Sequence, residues 1–251
     1  MYNFKGLTAA LVLSVAATTA QAVEVSGEVG YVSDYVFRGI SQNDEDGALQ
    51  GGVNFDFDSG WYAGIWASDV DMGEEVDFFG GYVSEANVYG AGLKYLIGVT
   101  QYTYTDDDFA EDYTEFNGII ETTLGQHKTK EARKYRGRLG VAVNYSPEIF
   151  QVWDEDVEYV NAVVYYITPE TKRGWSAHAK YGYSNFDADI ASIYVSDSWS
   201  YNDWNIGVNK MWEVSHGEVV VSVDYYDTDM DEGFGSELTD DRVVGGIKYK
   251  F

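Results

Sequence analysis

One feature constrains the fold more than any other: apolar and polar residues alternate with a period of two from Val23 to Phe251, and no stretch carries a convincing helical period. In the last segment Val243, Ile247, Tyr249 and Phe251 fall on one face, and Arg242, Val244, Gly246, Lys248 and Lys250 on the other. Before it, Val219, Val221, Val223 and Tyr225 oppose Val220, Ser222, Asp224 and Tyr226. Further upstream, Trp175, Ala177, Ala179, Tyr181 and Tyr183 oppose Ser176, His178, Lys180, Gly182 and Ser184. Aromatics at the ends of an apolar face, with charges on the opposite face, suit a lipid-facing wall around a wet lumen. A soluble β-sandwich alternates too, so alternation alone leaves both open.

The first residues predict a secretory signal peptide over 1–22. Lys5 supplies a positive start, Leu7 to Ala17 an apolar run, and Ala20-Gln21-Ala22 a small-x-small cleavage site. That run is shorter than the about 20 residues a spanning helix needs. The absence of cysteine excludes a disulfide framework, a lipid anchor on an N-terminal cysteine and a c-type haem. With 42 Asp+Glu against 16 Lys+Arg, bare nucleic acid is excluded as a partner, because its phosphates would be repelled.

Twelve candidate strands can be drawn, at 23–33, 47–57, 60–69, 75–84, 89–104, 113–123, 134–145, 157–167, 174–184, 204–212, 217–226 and 241–251. Ile193, Tyr194 and Val195 either extend the tenth strand or form a loop hairpin. The connections alternate in length. The shorter set is 58–60, 85–88, 168–173 and 213–216, with 124–133 as the exception; the longer is 34–46, 70–74, 105–112, 146–156, 185–203 and 227–240. Charge sorts with length. The longer set carries Asp106-Asp107-Asp108, Asp154-Glu155-Asp156 and the acids from Asp227 to Glu232, with Arg38 as its one cation. Lys128, Lys130, Arg133, Lys172 and Arg173 sit in the shorter set. A sandwich has no reason to separate charge between its two ends, whereas a barrel with short periplasmic turns and long outer loops does. The expected fold is therefore all-β: a transmembrane antiparallel up-and-down β-barrel of 12 strands over 23–251, in the cell outer membrane.

The stretch Tyr31-Val32-Ser33-Asp34-Tyr35-Val36-Phe37-Arg38-Gly39-Ile40-Ser41-Gln42 resembles the Gcw_chp family, also called TorF-family candidate porins. Ala48 to Gly52, Gly60 to Ser68, Glu75 to Tyr82, and Gly98-Val99 with Tyr102-Thr103-Tyr104 continue the resemblance. It is looser at Trp204 to Lys210, at Tyr225-Tyr226-Asp227-Thr228 and in the final strand. The family often places proline after Tyr-Thr-Tyr; here Thr105 and three aspartates follow. The resemblance implies an outer-membrane barrel and a pore, and it implies neither a solute nor catalytic residues.

The candidate sites follow from the faces. Phe251, Tyr249 and Ile247 form a terminal aromatic strand of the kind read by the outer-membrane insertion machinery through pairing at an open edge. Glu24 and Glu28 on the first strand would meet Lys248 and Lys250 on the last across the closing seam, and Glu121 would meet Arg136. Inward charges can be structural ion pairs, or Arg136, Arg138 and Lys180 can form a cationic track opposite Glu115, Asp77 and Asp224. Arg38 is either clasped by Asp34 or Asp69, or folds inward and narrows the pore. Inward Gly52, Gly64, Gly140, Gly182 and Gly246 are expected to leave room in the lumen.

Asp227-x-Asp229-x-Asp231 fails as a calcium loop, because Glu232 stands where glycine is required and Leu238 where glutamate is. Bridging of acidic loops to lipopolysaccharide by diffuse divalent cations is the better reading. Only His127, His178 and His216 could serve as a catalytic base; two fall in the short turns, and His178 reads as a lone, structural lumen histidine with Ser176 and Ser184 on its own strand. The expectation is a candidate porin or narrow channel for small hydrophilic solutes, with no cofactor, no metal site and no enzyme activity. Its expected partners are membrane lipid, lipopolysaccharide and the insertion machinery. The alternative is a closed structural or adhesive barrel with acidic surface loops.

Overall fold

The computed structural model describes residues 23–71, 73–88, 91–105, 112–124, 137–149, 151–152, 155–188, 198–230 and 236–251. The expected signal peptide and several other residues singled out above lie outside them: Arg136, His127, Lys128, Lys130, Arg133, the 106–108 aspartates, Asp154, Ile193 to Val195, Asp231 and Glu232.

The strands are β1 (Val23–Val32), β2 (Val36–Phe37), β3 (Ile40–Ser41), β4 (Ala48–Phe57), β5 (Trp61–Val70), β6 (Gly73–Val88), β7 (Ala91–Tyr104) and β8 (Tyr113–Leu124). They continue as β9 (Gly137–Ser146), β10 (Gln151–Val152), β11 (Glu155–Ile167), β12 (Trp175–Ala188), β13 (Ser198–Val214), β14 (Gly217–Thr228) and β15 (Arg242–Lys250), with one helical turn, α1 (Ser236–Thr239). Every barrel strand pairs antiparallel with its neighbours, β9 pairs with β11 and β15 pairs with β1, so the described residues form a closed barrel of twelve strands. Closure removes the edge that an open sheet would present. The seam is completed by the last residue: Phe251 and Gly27 exchange both backbone hydrogen bonds at 2.9 Å, and the Phe251 ring occupies the space a side chain on Gly27 would need.

Burial is inverted relative to a soluble protein, and that decides the environment. Alternate apolar residues all around the wall are exposed, among them Tyr31, Leu49, Ile97, Ile120, Val141, Val164, Ile206, Val223 and, at 67%, Val243. The buried set is largely polar: Ser68, Glu75, Asp77, Glu115, Asn161, Ser184, Asp203, Asn205 and Asp224. An apolar surface of this extent is untenable in water and is what a bilayer requires of a barrel wall.

Most boundaries differ from expectation by a residue or more, and the strand predicted over 174–184 runs over Trp175–Ala188. The strand predicted to stop at 84 runs to Val88, so 85–88 is strand and the connection is 89–90. The predicted loop 70–74 shrinks to 71–72, and the tenth strand begins at Ser198 rather than 204. β6 has 16 residues and β13 has 17, against the about 9–11 that cross the membrane. Beyond the bilayer no lipid enforces apolar alternation, so Glu85-Ala86-Asn87 reads as a turn although it is paired.

A loop latched across the lumen as candidate functional site

Residues 33–47 join β1 to β4 and fold back into the barrel. Their tip is a two-residue hairpin: β2 and β3 pair through Val36–Ser41 and Phe37–Ile40, and Arg38 and Gly39 turn the chain with φ of 52° and 86°. Positive φ at both positions is the type I′ arrangement that suits the twist of paired strands. Glycine adopts it freely, while arginine there needs support from its surroundings.

The support is Glu115 on β8. Arg38 Nη2 donates to Glu115 Oε2 at 2.7 Å and Oε1 at 2.9 Å, and both side chains are buried. The guanidinium carbon stands 4.5 Å from the Phe37 ring centroid and 5.0 Å from that of Tyr159 on β11. Glu115 also accepts from Asn117 Nδ2 at 2.8 Å. Arg38 is therefore not clasped by Asp34 or Asp69, one of the two options the sequence left open. Asp34 is taken by Arg242 Nη1 at 2.8 Å and Ser41 Oγ at 2.7 Å, and Asp69 accepts from the Leu49 amide. The loop is thus tied to the barrel twice, at β15 through Asp34–Arg242 and at β8 through Arg38–Glu115. Rings fix its flanks: Tyr35 lies edge-on to Trp66, Phe37 edge-on to Tyr102, and Ile40 packs on Val157, Tyr159, Phe186 and Tyr201.

The lumen wall beside the latch is an ordered polar belt. Thr100, Asn117, Asn144, Asn161 and Ser184 stand on successive strands, and each passes a side-chain hydrogen bond to the next at 3.0 to 3.1 Å. Tyr159 shares a 2.9 Å bond with Ser184 and so joins the belt to the latch. Every amide in this row has a partner, which a buried polar group requires.

Ion pairs account for most of the predicted lining residues. Lys180 reaches Asp203 at 3.1 Å, Asp224 reaches His178 Nε2 at 2.8 Å, and Arg138 reaches Glu121 at 3.5 Å. His178 is therefore not a lone histidine; Asn209 engages its other ring nitrogen at 3.2 Å. Across the seam Lys248 holds Glu28 at 2.6 Å. Lys250 stands in register between Glu28 and Glu218, whereas Glu24 lies beyond the end of β15, opposite Asp56. Glu121 meets Arg138 and the Tyr165 hydroxyl, and its expected partner Arg136 lies outside the described residues. Asp77 lines the lumen with Glu75 beside it on the same face of β6. Tyr249 stacks on Phe251 and donates to the His216 carbonyl, and Ile247 faces outward.

The inward glycines do not leave open room. A side chain at Gly64 would strike the Phe79 ring, at Gly140 the Tyr165 ring, and at Gly182 the Asp203 carboxylate. These glycines are floors on which large neighbours lie flat against the wall. Space survives elsewhere. A cavity of about 470 Å³ in the half toward the short turns is lined by Lys94, Glu121, Arg138 and Ser176. A second, of about 360 Å³, is lined by Glu28, Asn54, Trp66, Asp77, Phe79 and Tyr102.

The profile of a bacterial family of unknown function, Gcw_chp, matches residues 16–248. The chain belongs to the Gcw_chp family. No curated protein matches it. Among solved structures it is similar to the NanC porin, at 10% identity and a TM-score of 0.51, covering 91% of this chain and 99% of that one. It is also similar to Pseudomonas aeruginosa OprD, at 9% identity and a TM-score of 0.41, covering 93% and 67%. The first likeness gives the Gcw_chp chain the fold of an outer-membrane porin barrel, in keeping with its apolar exterior.

Arg242, Glu75, the asparagine row and the pairing of His178 with Asp224 were not foreseen from sequence. The hairpin at Arg38-Gly39 went unread in the sequence; its one local sign is Gly39, a residue that takes positive φ freely.

Proposed function

We propose that this Gcw_chp protein is an outer-membrane porin of narrow bore, passing small hydrophilic solutes, with the 33–47 loop as its constriction. One observation carries the reading: a polar, ion-paired lumen crossed by a buried Arg38–Glu115 bridge, with one cavity reaching Tyr102 next to it and another, lined by charged residues, toward the short turns. A wall of twelve strands is wider than one whose interior side chains fill it and narrower than an open sixteen-stranded channel, so the loop sets the bore. Lipopolysaccharide at the outer loops and the insertion machinery at the Phe251 strand are the partners this reading requires. It assigns no catalysis: both ring nitrogens of His178 are occupied, by Asp224 and Asn209.

The aromatic cluster of Tyr159, Phe186 and Tyr201 under Ile40 favours a second reading, a barrel closed at its outer half. Liposome swelling with sugars of graded size separates the two. A porin admits the smallest sugars and excludes larger ones; absence of swelling with any of them would favour the closed barrel.

A further inference from the structure

Six carboxylates are buried among the described residues: Asp34, Glu75, Asp77, Glu115, Asp203 and Asp224. Four have a basic partner, respectively Arg242 for Asp34, Arg38 for Glu115, Lys180 for Asp203 and His178 for Asp224. Glu75 and Asp77 have none among the described residues. They stand two residues apart on the same inward face of β6. Asp77 Oδ1 is buried with no hydrogen-bond partner at all. A buried acid pair without a counter-charge is costly, and an orphaned acceptor within it asks for a donor.

Asp77 also lines the cavity of about 360 Å³, within the usual small-molecule range of about 300–1,000 Å³. The rest of the lining includes the aromatic Trp66, Phe79 and Tyr102, with Asn54 and Thr100 as neutral polar groups. Glu28, at one end, is already neutralised by Lys248, and Arg38, which pairs with Glu115, is not among the lining residues. The lining carboxylate without a basic partner among the described residues is Asp77 on β6, with Glu75 two residues away on the same face and outside the lining.

We propose that Asp77, backed by Glu75, and the Trp66, Phe79 and Tyr102 side chains form a recognition site for a small organic cation, a primary or quaternary amine, within the lumen. A carboxylate supplies the counter-charge, and aromatic faces attract an ammonium group through their quadrupoles. A bare metal ion would instead demand a shell of six or more oxygens, and three walls here are aromatic. The site deepens the reading of the lumen as a passage for solutes, and rests on it for its purpose.

The test is calorimetric titration of the purified, detergent-folded barrel with tetramethylammonium, at fixed ionic strength in sodium and then in potassium chloride, beside conductance recording of the same preparation. Saturable binding is expected, weakened about tenfold or more in Glu75→Gln/Asp77→Asn. Trp66→Leu, which keeps both charges, should weaken it about three- to tenfold. Asp58→Asn, in a turn between β4 and β5, should leave it unchanged. Heat-modifiable migration reports folding of each variant. Absence of binding to the wild type, equal binding by the acid-pair variant, or competition by potassium as strong as that of the amine would each overturn the site. Binding without any conductance would sink the porin reading and leave the site standing. Conductance without binding would do the reverse.

Discussion

Replacing Arg38 by alanine removes the side chain that spans the lumen. At 2.7 Å and an effective dielectric of about 20, its attraction to Glu115 is about 6 kcal/mol before desolvation is counted. Losing one partner of a buried pair costs about 3–5 kcal/mol, because the other is left charged and unpaired. Glu115, 1% exposed, would be left in that state. The ladder hydrogen bonds of the twelve strands are untouched, so the strain is relieved where the structure is weakest. That place is the 33–47 loop, whose Arg38 also holds a positive φ. The loop should detach at its β8 anchor while Asp34–Arg242 keeps the other. In planar bilayers Arg38→Ala should conduct more than the wild type and prefer cations more strongly, because Glu75, Asp77 and Glu115 then face the lumen without it. Arg38→Lys should fall between, since an ammonium keeps the charge but loses the planar guanidinium that lies against the Phe37 and Tyr159 rings. The Arg38→Ala/Glu115→Ala double variant should be destabilised less than the sum of the single changes. Equal conductance, equal ion preference and equal protease resistance of the loop in wild type and Arg38→Ala would refute the latch.

Three other outcomes are expected. Deleting Phe251 removes the backbone bonds to Gly27 and the aromatic end of the terminal strand, so unfolded protein should accumulate in the periplasm; undiminished heat-modifiable barrel in the outer membrane would count against this. Ile120→Arg places a charge on the lipid face of β8 and should destabilise the barrel by about 2–4 kcal/mol if the site lies at mid-membrane; an unchanged urea midpoint would contradict the assigned face. An epitope tag after Asp229 should be labelled on intact cells and one at Ser59 should not, and the reverse pattern would invert the topology.

The barrel was legible because lipid and lumen enforce opposite chemistry on alternate residues, as at Val243–Phe251 and Val219–Tyr225. Where that pressure ends, as at 85–88, the strand was lost from view. The latch was half legible. Arg38 stood out as the one cation of the acidic loops, but its partner lies 77 residues away, and no local spacing connects Arg38 to Glu115. Asn117, Asn144 and Asn161 align only once the register is known, since each sits on its own strand with no sequence signal of a row. The glycines misled for a related reason. A missing side chain marks space on its own strand, while Phe79 and Tyr165 fill that space from the next.

Single-channel recording of the purified wild-type protein in a salt gradient tests the central claim most directly. A porin narrowed by the Arg38 latch should give small, discrete conductance steps with a weak cation preference at low salt. That preference should fade toward 1 M, where the screening length is about 3 Å. A bilayer that stays as silent as one without protein, for wild type and Arg38→Ala alike, would contradict it.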